Sequence, residues 1–205
     1  MISVITGDII NSRSTEAEEW LSVLKEVLNQ IGESPEVWEI FRGDSFQVEV
    51  KNPEDALLRA IQIKAAIKQI KSIDVRMCIG IGEKSYSAKR ITESNGEAFI
   101  HSGEGFEKLK SSKQTLSIVS PIVALDADMN LYLRLILIVM DNWTSRTAEF
   151  VYISLGEDLL QEEIAGMLDI SQSSVSERRQ RSHIAEIMEV ETHYRDKLRA
   201  YKLTK

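Results

Sequence analysis

Residues 37–50 read Val-Trp-Glu-Ile-Phe-Arg-Gly-Asp-Ser-Phe-Gln-Val-Glu-Val, and the arrangement of the N-terminal part of the chain depends on this stretch. Two short runs, Val37 to Phe41 and Phe46 to Val50, are rich in the aromatic and β-branched residues that favour strands. Between them, Arg42-Gly43-Asp44-Ser45 stands where a tight turn is needed. The stretch therefore predicts a β-hairpin with a polar tip.

The segments on either side of the hairpin predict a β-α-β-β-α-β order. Before it, Ile2 to Thr6 is typical of a buried strand ending at Gly7 and Asp8, and a helix follows with Ser14 as its N-cap. After it, Pro53 begins a second helix, and Val75 to Gly82 returns as a strand. This order predicts an α+β, ferredoxin-like domain, an antiparallel sheet covered on one face by two helices. A polar loop, a helix and a strand are expected to extend it, at 83–96, 97–109 and 115–119.

After Pro121 the composition shifts to helix formers without strand signals. We therefore expect two domains, an α/β domain over 1–122 and an all-α domain over 123–205.

Within the helical part, Gln161 to Arg179 has the spacing of a helix-turn-helix, which we place at about 161–182. Small Ala165 stands where two helices would cross closely, Asp169 occupies the turn, and Ser171 is positioned to cap the second helix. The predicted interlocking core consists of Ile164, Leu168, Ile170 and Val175.

These residues resemble the helix-turn-helix of sigma-factor region four and of many bacterial transcription regulators. The resemblance implies that the second helix enters the major groove of double-stranded DNA. Glu177 would oppose a nearby phosphate. Packing of the same kind also serves helical hairpins that dock onto proteins, so that alternative stays open. The expected DNA contacts are Gln172, Ser173, Ser174, Ser176, Arg178, Arg179 and Arg181.

Two aspartates mark a second candidate site. Asp8 follows the first strand and Asp44 lies in the hairpin, and these two places are neighbours in a ferredoxin-like sheet. Two carboxylates can share a magnesium ion whose coordination shell is completed by a nucleotide triphosphate. Alternatively, Asp8 caps a turn and Asp44 completes the hairpin, both through backbone hydrogen bonds.

The surrounding residues carry a further resemblance. Gly7-Asp8-Ile9-Ile10-Asn11-Ser12 is similar to the first metal motif of class III nucleotide cyclases, and Arg42-Gly43-Asp44-Ser45-Phe46 to their second and to the diguanylate cyclase hairpin. The resemblance implies a palm-type domain in which Asp8 and Asp44 bind magnesium beside a nucleotide triphosphate or cyclic nucleotide. Alternatively, the lysines of this loop are exposed to solvent and bind no ligand, as is common for lysines on loops. The expected nucleotide-binding residues are Gly7, Ile9, Arg42, Gly43, Lys84, Lys89 and Arg90.

The cyclase pattern does not continue through the next motif. Cyclases carry an asparagine and an arginine that stabilise the transition state, and here Gly96-Glu-Ala-Phe-Ile-His-Ser-Gly-Glu104 places Ile100 and Glu104 at those positions. Loss of the arginine removes a charge that would meet the negative charge developing on the phosphates. We therefore expect metal or nucleotide binding rather than cyclase turnover.

Four segments together, at residues 5–9, 41–46, 96–99 and 161–165, resemble the SatD family over nearly the full length.

The net charge of -7 argues against nonspecific coating of nucleic acid, which relies on a broad cationic surface. The single cysteine, Cys78, sits in an apolar run and is expected to be a buried thiol. With no signal peptide and no membrane-length apolar stretch, the sequence indicates a cytoplasmic protein that does not enter membranes.

The features combine into a homodimeric, ligand-responsive transcription regulator, in which a magnesium- and nucleotide-binding domain acts on a helix-turn-helix. Two alternatives remain open. One is an active nucleotide cyclase or related phosphotransfer enzyme with a helical docking module, and the other is a scaffold that binds proteins through both domains.

Overall fold

A computed structural model describes residues 1–156 and 159–203, which form an α+β fold with a mixed five-stranded sheet. The sheet strands are β1 (Ile2–Ile10), β2 (Trp38–Phe41), β3 (Ser45–Val50), β4 (Asp74–Gly82) and β7 (Leu116–Val119), and a separate two-stranded ribbon contains β5 (Lys84–Tyr86) and β6 (Asn95–Gly96). The helices are α1 (Ala17–Asn29), α2 (Ala56–Ile67), α3 (Glu97–Ser111), α4 (Val123–Met140), α5 (Ser145–Gly156), α6 (Gln161–Met167), α7 (Gln172–Ser182) and α8 (Ile184–Leu203).

The strands lie in the order β2-β3-β1-β4-β7. The predicted hairpin is confirmed: Phe41 pairs with Ser45, and Arg42 and Gly43 make the turn with φ angles of 52° and 92°. The four strands predicted to form an antiparallel sheet pair antiparallel, and the added strand β7 runs parallel to β4. It does so because α3 carries the chain back across the sheet between these two strands, the usual connection for a parallel pair.

Both faces of the sheet are covered, whereas the sequence predicted helices on one face only. The main core packs α1 and α2 against residues such as Ile5, Phe46 and Ile79. On the opposite face, α3 packs Phe99 and Ala98 against Val4, with a second small cluster around Cys78. Cys78 is buried as predicted, and burial raises the pKa of its thiol to about 12.

Two predicted boundaries are wrong near the N-terminus. β1 does not end at Gly7 and Asp8 but continues to Ile10, because its last residues pair with the start of β4 at Asp74. Ser14 does not cap α1; it ends a short 3-10 helix, and α1 begins at Ala17. Asp8 therefore lies inside a paired strand rather than in a loop.

The chain after Pro121 is helical within the described residues, as predicted, but one hydrophobic core joins it to the sheet. Residues of α2, β4, α4, α5 and α8 belong to the same buried cluster. The Tyr194 hydroxyl of α8 donates to the Pro53 carbonyl just before α2, at 2.7 Å. In the part of the chain that the structure describes, no helix combines the length and apolarity required to span a bilayer.

Candidate functional site

The connection between α6 and α7 is a four-residue turn with defined hydrogen bonds. The Asp169 N–H donates to the Gly166 carbonyl, and the Ile170 N–H to the Ala165 carbonyl. Asp169 adopts the predicted left-handed conformation with φ of 50°. This pattern is that of a Schellman ending, which usually places glycine where Asp169 stands. The turn ends α6 sharply and redirects the chain into α7.

Ser171 begins α7 as predicted, because its side chain accepts a hydrogen bond from the Ser174 N–H at 3.2 Å. Val175 and Ser182, seven residues apart, form the buried side of the helix. Trp143 Nε1 donates to the Ser182 carbonyl at 3.0 Å and holds the C-terminal end of α7 against the start of α5. α7 is thus fixed along one side and has one side free.

The free side of α7 contains five of the seven predicted DNA contacts. Ser174 is half-buried, and its hydroxyl lies 2.9 Å from that of Ser171. Arg178 turns back to the body of the protein: its Nη1 lies 2.9 Å from Glu149 Oε2 and donates to the Arg146 carbonyl. Both side chains make intramolecular contacts, and the hydroxyl of the exposed Ser173 likewise lies 2.8 Å from that of Ser171. The exposed predicted residues are Gln172, Ser173, Ser176, Arg179 and Arg181.

The two predicted metal ligands lie at one end of the sheet. Asp8 pairs with Ser45 across β1 and β3, and the Ile9 N–H donates to the Asp44 carbonyl at 3.1 Å. Asp8 Oδ1 accepts a hydrogen bond from Arg76 Nε at 3.2 Å, an ion pair that the sequence analysis did not identify. Burial raises the pKa of Asp8, the Arg76 charge opposes this rise, and the Asp44 charge adds to it.

The remaining residues of the two cyclase-like motifs have packing roles here. A Cβ on Gly7 would lie 2.7 Å from the Phe46 ring and 2.7 Å from the Arg76 carbonyl, so this position has no room for a side chain. Ile9 is buried in the main core. Asp44 accepts a hydrogen bond from the Ser12 hydroxyl at 2.7 Å, which ties the hairpin to the end of β1. The structural alternative is therefore wrong in its details: Asp8 lies in a strand and caps no turn, and the two carboxylates bind the side chains of Arg76 and Ser12 rather than backbone groups.

A magnesium ion could be held here only by carboxylates that are already engaged. Among the described residues, no group of three or more acidic, histidine or cysteine side chains is placed to hold a metal. Two carboxylates nevertheless suffice for a magnesium ion that keeps water and phosphate ligands. Asp8 and Asp44 fit that minimal requirement if Arg76 releases Asp8.

The basic residues predicted to bind nucleotide do not gather around the aspartates. Lys84 Nζ lies 2.6 Å from Glu49 Oε2. Arg90 and Thr92 both hold Glu39. Burial alone would raise the pKa of Glu39, but hydrogen bonds from Thr92 and Arg90 outweigh it and lower this pKa. The loop at 83–96 is therefore fastened onto the polar side of β2 and β3.

The other two basic residues line separate cavities. Lys89 is exposed beside a cavity of about 890 Å³ next to the end of β3. Arg42 lines a cavity of about 760 Å³ between the hairpin and α3. Glu104, at the position of the cyclase arginine, lines this second cavity together with Glu107. Ile100, at the position of the cyclase asparagine, is 52% exposed. The walls of the cavity nearest the hairpin thus carry charges of both signs.

Comparisons with known proteins add no assignment: no protein-family model matches the chain, and no curated protein matches it with significant similarity.

Proposed function

We propose that the protein binds double-stranded DNA through α7, with α6 and α7 acting as a helix-turn-helix. The observation that carries this proposal is the free side of α7. α7 is held by its neighbours and has a capped N-terminus, and its exposed side chains are polar groups, two arginines and one acidic residue, Glu177, which would oppose a nearby phosphate. An exposed helix of this composition, fixed by its neighbours, suits insertion into the major groove.

The N-terminal part of α7 is the part we expect to read base edges. Gln172, Ser173 and Ser176 carry donors and acceptors that match base edges in the major groove. Arg179 and Arg181 are exposed further along and can meet phosphates. Arg178, bound to Glu149, is not among the contacts that we propose.

The wider proposal is a homodimeric transcription regulator related to the SatD family, with a ferredoxin-like, cyclase-type N-terminal part. The strand order β2-β3-β1-β4 supports the ferredoxin-like assignment, with β7 as an addition at the edge. A second copy is expected because helix-turn-helix proteins commonly read paired half-sites. Exposed apolar side chains on α4, at Leu131, Leu135 and Ile138, favour contact with that copy.

The test is selection of bound duplexes from a randomised pool, followed by anisotropy titration of the enriched duplex. We expect Ser176→Glu to weaken binding about tenfold or more, because the new carboxylate would face base edges and phosphates. The matched control is Ser22→Glu, the same change at an exposed position of α1. Sedimentation of the complex gives the number of protein copies per duplex.

Failure of the wild-type protein to enrich any duplex would overturn DNA binding. Equal affinity of Ser176→Glu and the wild-type protein would instead move the contact away from α7 and favour a protein-docking hairpin.

A second candidate function is binding of a nucleotide with magnesium at Asp8 and Asp44. It is supported by the position of the two residues at one end of the sheet, where Asp8 pairs with Ser45 and the Ile9 N–H donates to the Asp44 carbonyl. The charge of Asp44 also contributes to the raised pKa of Asp8. A ligand that binds only the folded state raises the melting temperature by mass action. We expect a nucleotide panel with magnesium to include one such ligand, and Asp44→Asn to abolish its effect.

The control for that measurement is Asp196→Asn, at an exposed position of α8. No stabilisation by any nucleotide would leave Asp44 with its structural role in the hairpin. Conversion of the nucleotide to product, lost in Asp44→Asn, would favour the enzyme alternative.

A further inference from the structure

A groove separates the end of α7 from the body that contains the sheet. Its walls are the turn between α2 and β4, the start of α5 and the side chain of Arg181, and its volume is about 740 Å³. A smaller cavity of about 250 Å³ continues from it along α7, past Thr144 and Ser174. The groove therefore adjoins the helix that we propose to contact DNA.

Three exposed cations line this groove: Lys71, Arg146 and Arg181. Neither Lys71 nor Arg146 forms an ion pair with a residue that the structure describes. Among the described residues, Arg181 makes one long ion-pair contact, 3.6 Å, with Glu177, and both of these side chains are largely exposed. Three cationic groups from three distant parts of the chain are thus gathered on a protein whose net charge is -7.

The acidic group in the groove wall does not neutralise these cations. Asp74 is half-buried, and its carboxylate is held by Lys64 at 2.8 Å and Lys68 at 3.1 Å. Lys68 also donates to the Asp141 carbonyl at 2.7 Å. Lys64 also pairs with the Asp141 carboxylate at 2.7 Å, so the two lysines balance these two aspartates. The charges of Lys71 and Arg146 remain available to an anion, and that of Arg181 is offset in part by Glu177.

The start of α5 adds to the positive potential of the groove. Ser145 and Arg146 are its first residues and line the groove. The Thr147 N–H is already bound to the Thr144 hydroxyl at 3.2 Å, so the start of α5 acts through its helix dipole rather than through this N–H. The N-terminal end of a helix carries a partial positive charge and favours anions, which reinforces the effect of the three side chains.

We propose that this groove holds the phosphate backbone of DNA next to the segment that α7 contacts, and that Lys71 of the sheet-containing body is a phosphate contact. The inference rests on the proposed function and extends it beyond the helix-turn-helix. Arg181 lines both the groove and the smaller cavity along α7. A DNA strand that passes from α7 along Arg181 therefore enters the groove directly. DNA would then bridge the helical part and the α/β part of the protein.

The experiment is a salt titration of duplex binding by Lys71→Ala and Arg146→Ala, on the enriched duplex and on an unrelated one. Each phosphate contact that is lost reduces the magnitude of the negative slope of log K against log salt by about one. We expect this decrease for each variant, and the same loss on both duplexes, because phosphate contacts carry no sequence information. The matched control is Lys25→Ala, at an exposed position of α1 outside these cavities.

The outcomes separate this inference from the proposed function. If the wild-type protein binds duplex and Lys71→Ala matches Lys25→Ala, the groove is not a DNA contact, while α7 remains the binding helix. If the wild-type protein binds no duplex, both proposals fall. Stabilisation by inorganic pyrophosphate that is lost in Lys71→Ala, without any change in the salt slope, would reassign the groove to a small phosphorylated ligand.

Discussion

Replacement of Gly80 by alanine is expected to lower the free energy of unfolding by about 3 kcal/mol or more. Gly80 lies on β4 directly under α3, and a Cβ there would be 2.2 Å from the Ala98 carbonyl oxygen and 2.3 Å from the Ser102 nitrogen. Both are backbone atoms of the helix, so the clash can be relieved only if α3 moves away from the sheet. Denaturant unfolding followed by circular dichroism measures the loss.

The matched control for Gly80 lies on α3 itself. A Cβ at Gly103 meets no atom within 4 Å, so Gly103→Ala introduces no clash. Alanine is the better helix former, and we expect Gly103→Ala to leave the free energy of unfolding unchanged or to raise it by up to about 1 kcal/mol. Equal stability of Gly80→Ala and Gly103→Ala would show that α3 does not pack on β4 as closely as described.

Local signals account for the features that the sequence predicted well. The hairpin at Arg42 and Gly43 and the left-handed Asp169 depend on residues within a few positions of one another. The Ser171 cap of α7 is likewise local, because its partner is Ser174. Such features follow from turn and capping preferences, which act before any tertiary contact forms.

Features that depend on long-range packing were missed. The Asp8–Arg76 pair joins residues 68 positions apart and requires the register of β1 against β4. The sequence places Arg178 on the exposed face of the second helix as a DNA contact, but its partner, Glu149, lies on another helix. The one available signal was Arg76 itself, a charged residue inside the apolar run of β4.

The same distinction applies to the candidate sites. Exposure of Ser173 and Ser176 follows from the helical repeat once Val175 is assigned to the core, so part of the α7 surface could be predicted. Arg179 lies four residues after Val175, on the same side of the helix, so the repeat does not predict its exposure. The groove could not, because Lys71, Arg146 and Arg181 meet only through the packing of α5 and α7 against the turn after α2.

Tyr194→Ala is expected to lower the free energy of unfolding by about 3–5 kcal/mol, as large-to-small changes of buried aromatic residues do. Tyr194 is fully buried on α8, and burial raises the pKa of its hydroxyl, which donates to the Pro53 carbonyl. The side chain thus joins the last helix to the segment that begins α2. Tyr194→Phe keeps the ring and loses one hydrogen bond, so we expect a loss of about 1 kcal/mol. Tyr86→Ala, at a position 60% exposed, serves as the control.

The shape of the Tyr194→Ala unfolding curve carries a second result. Because α2, β4, α4, α5 and α8 share one buried cluster, damage at Tyr194 should weaken the whole protein and leave a single transition at a lower denaturant concentration. Separate domains over 1–122 and 123–205 would instead give two transitions, with only the helical one displaced. Single-tryptophan variants distinguish one transition from two, because the fluorescence of Trp38 reports on the α/β part and that of Trp143 on the helical part. Coincident curves would show that the two parts unfold as one cooperative unit, whereas divergent curves would contradict the continuous core.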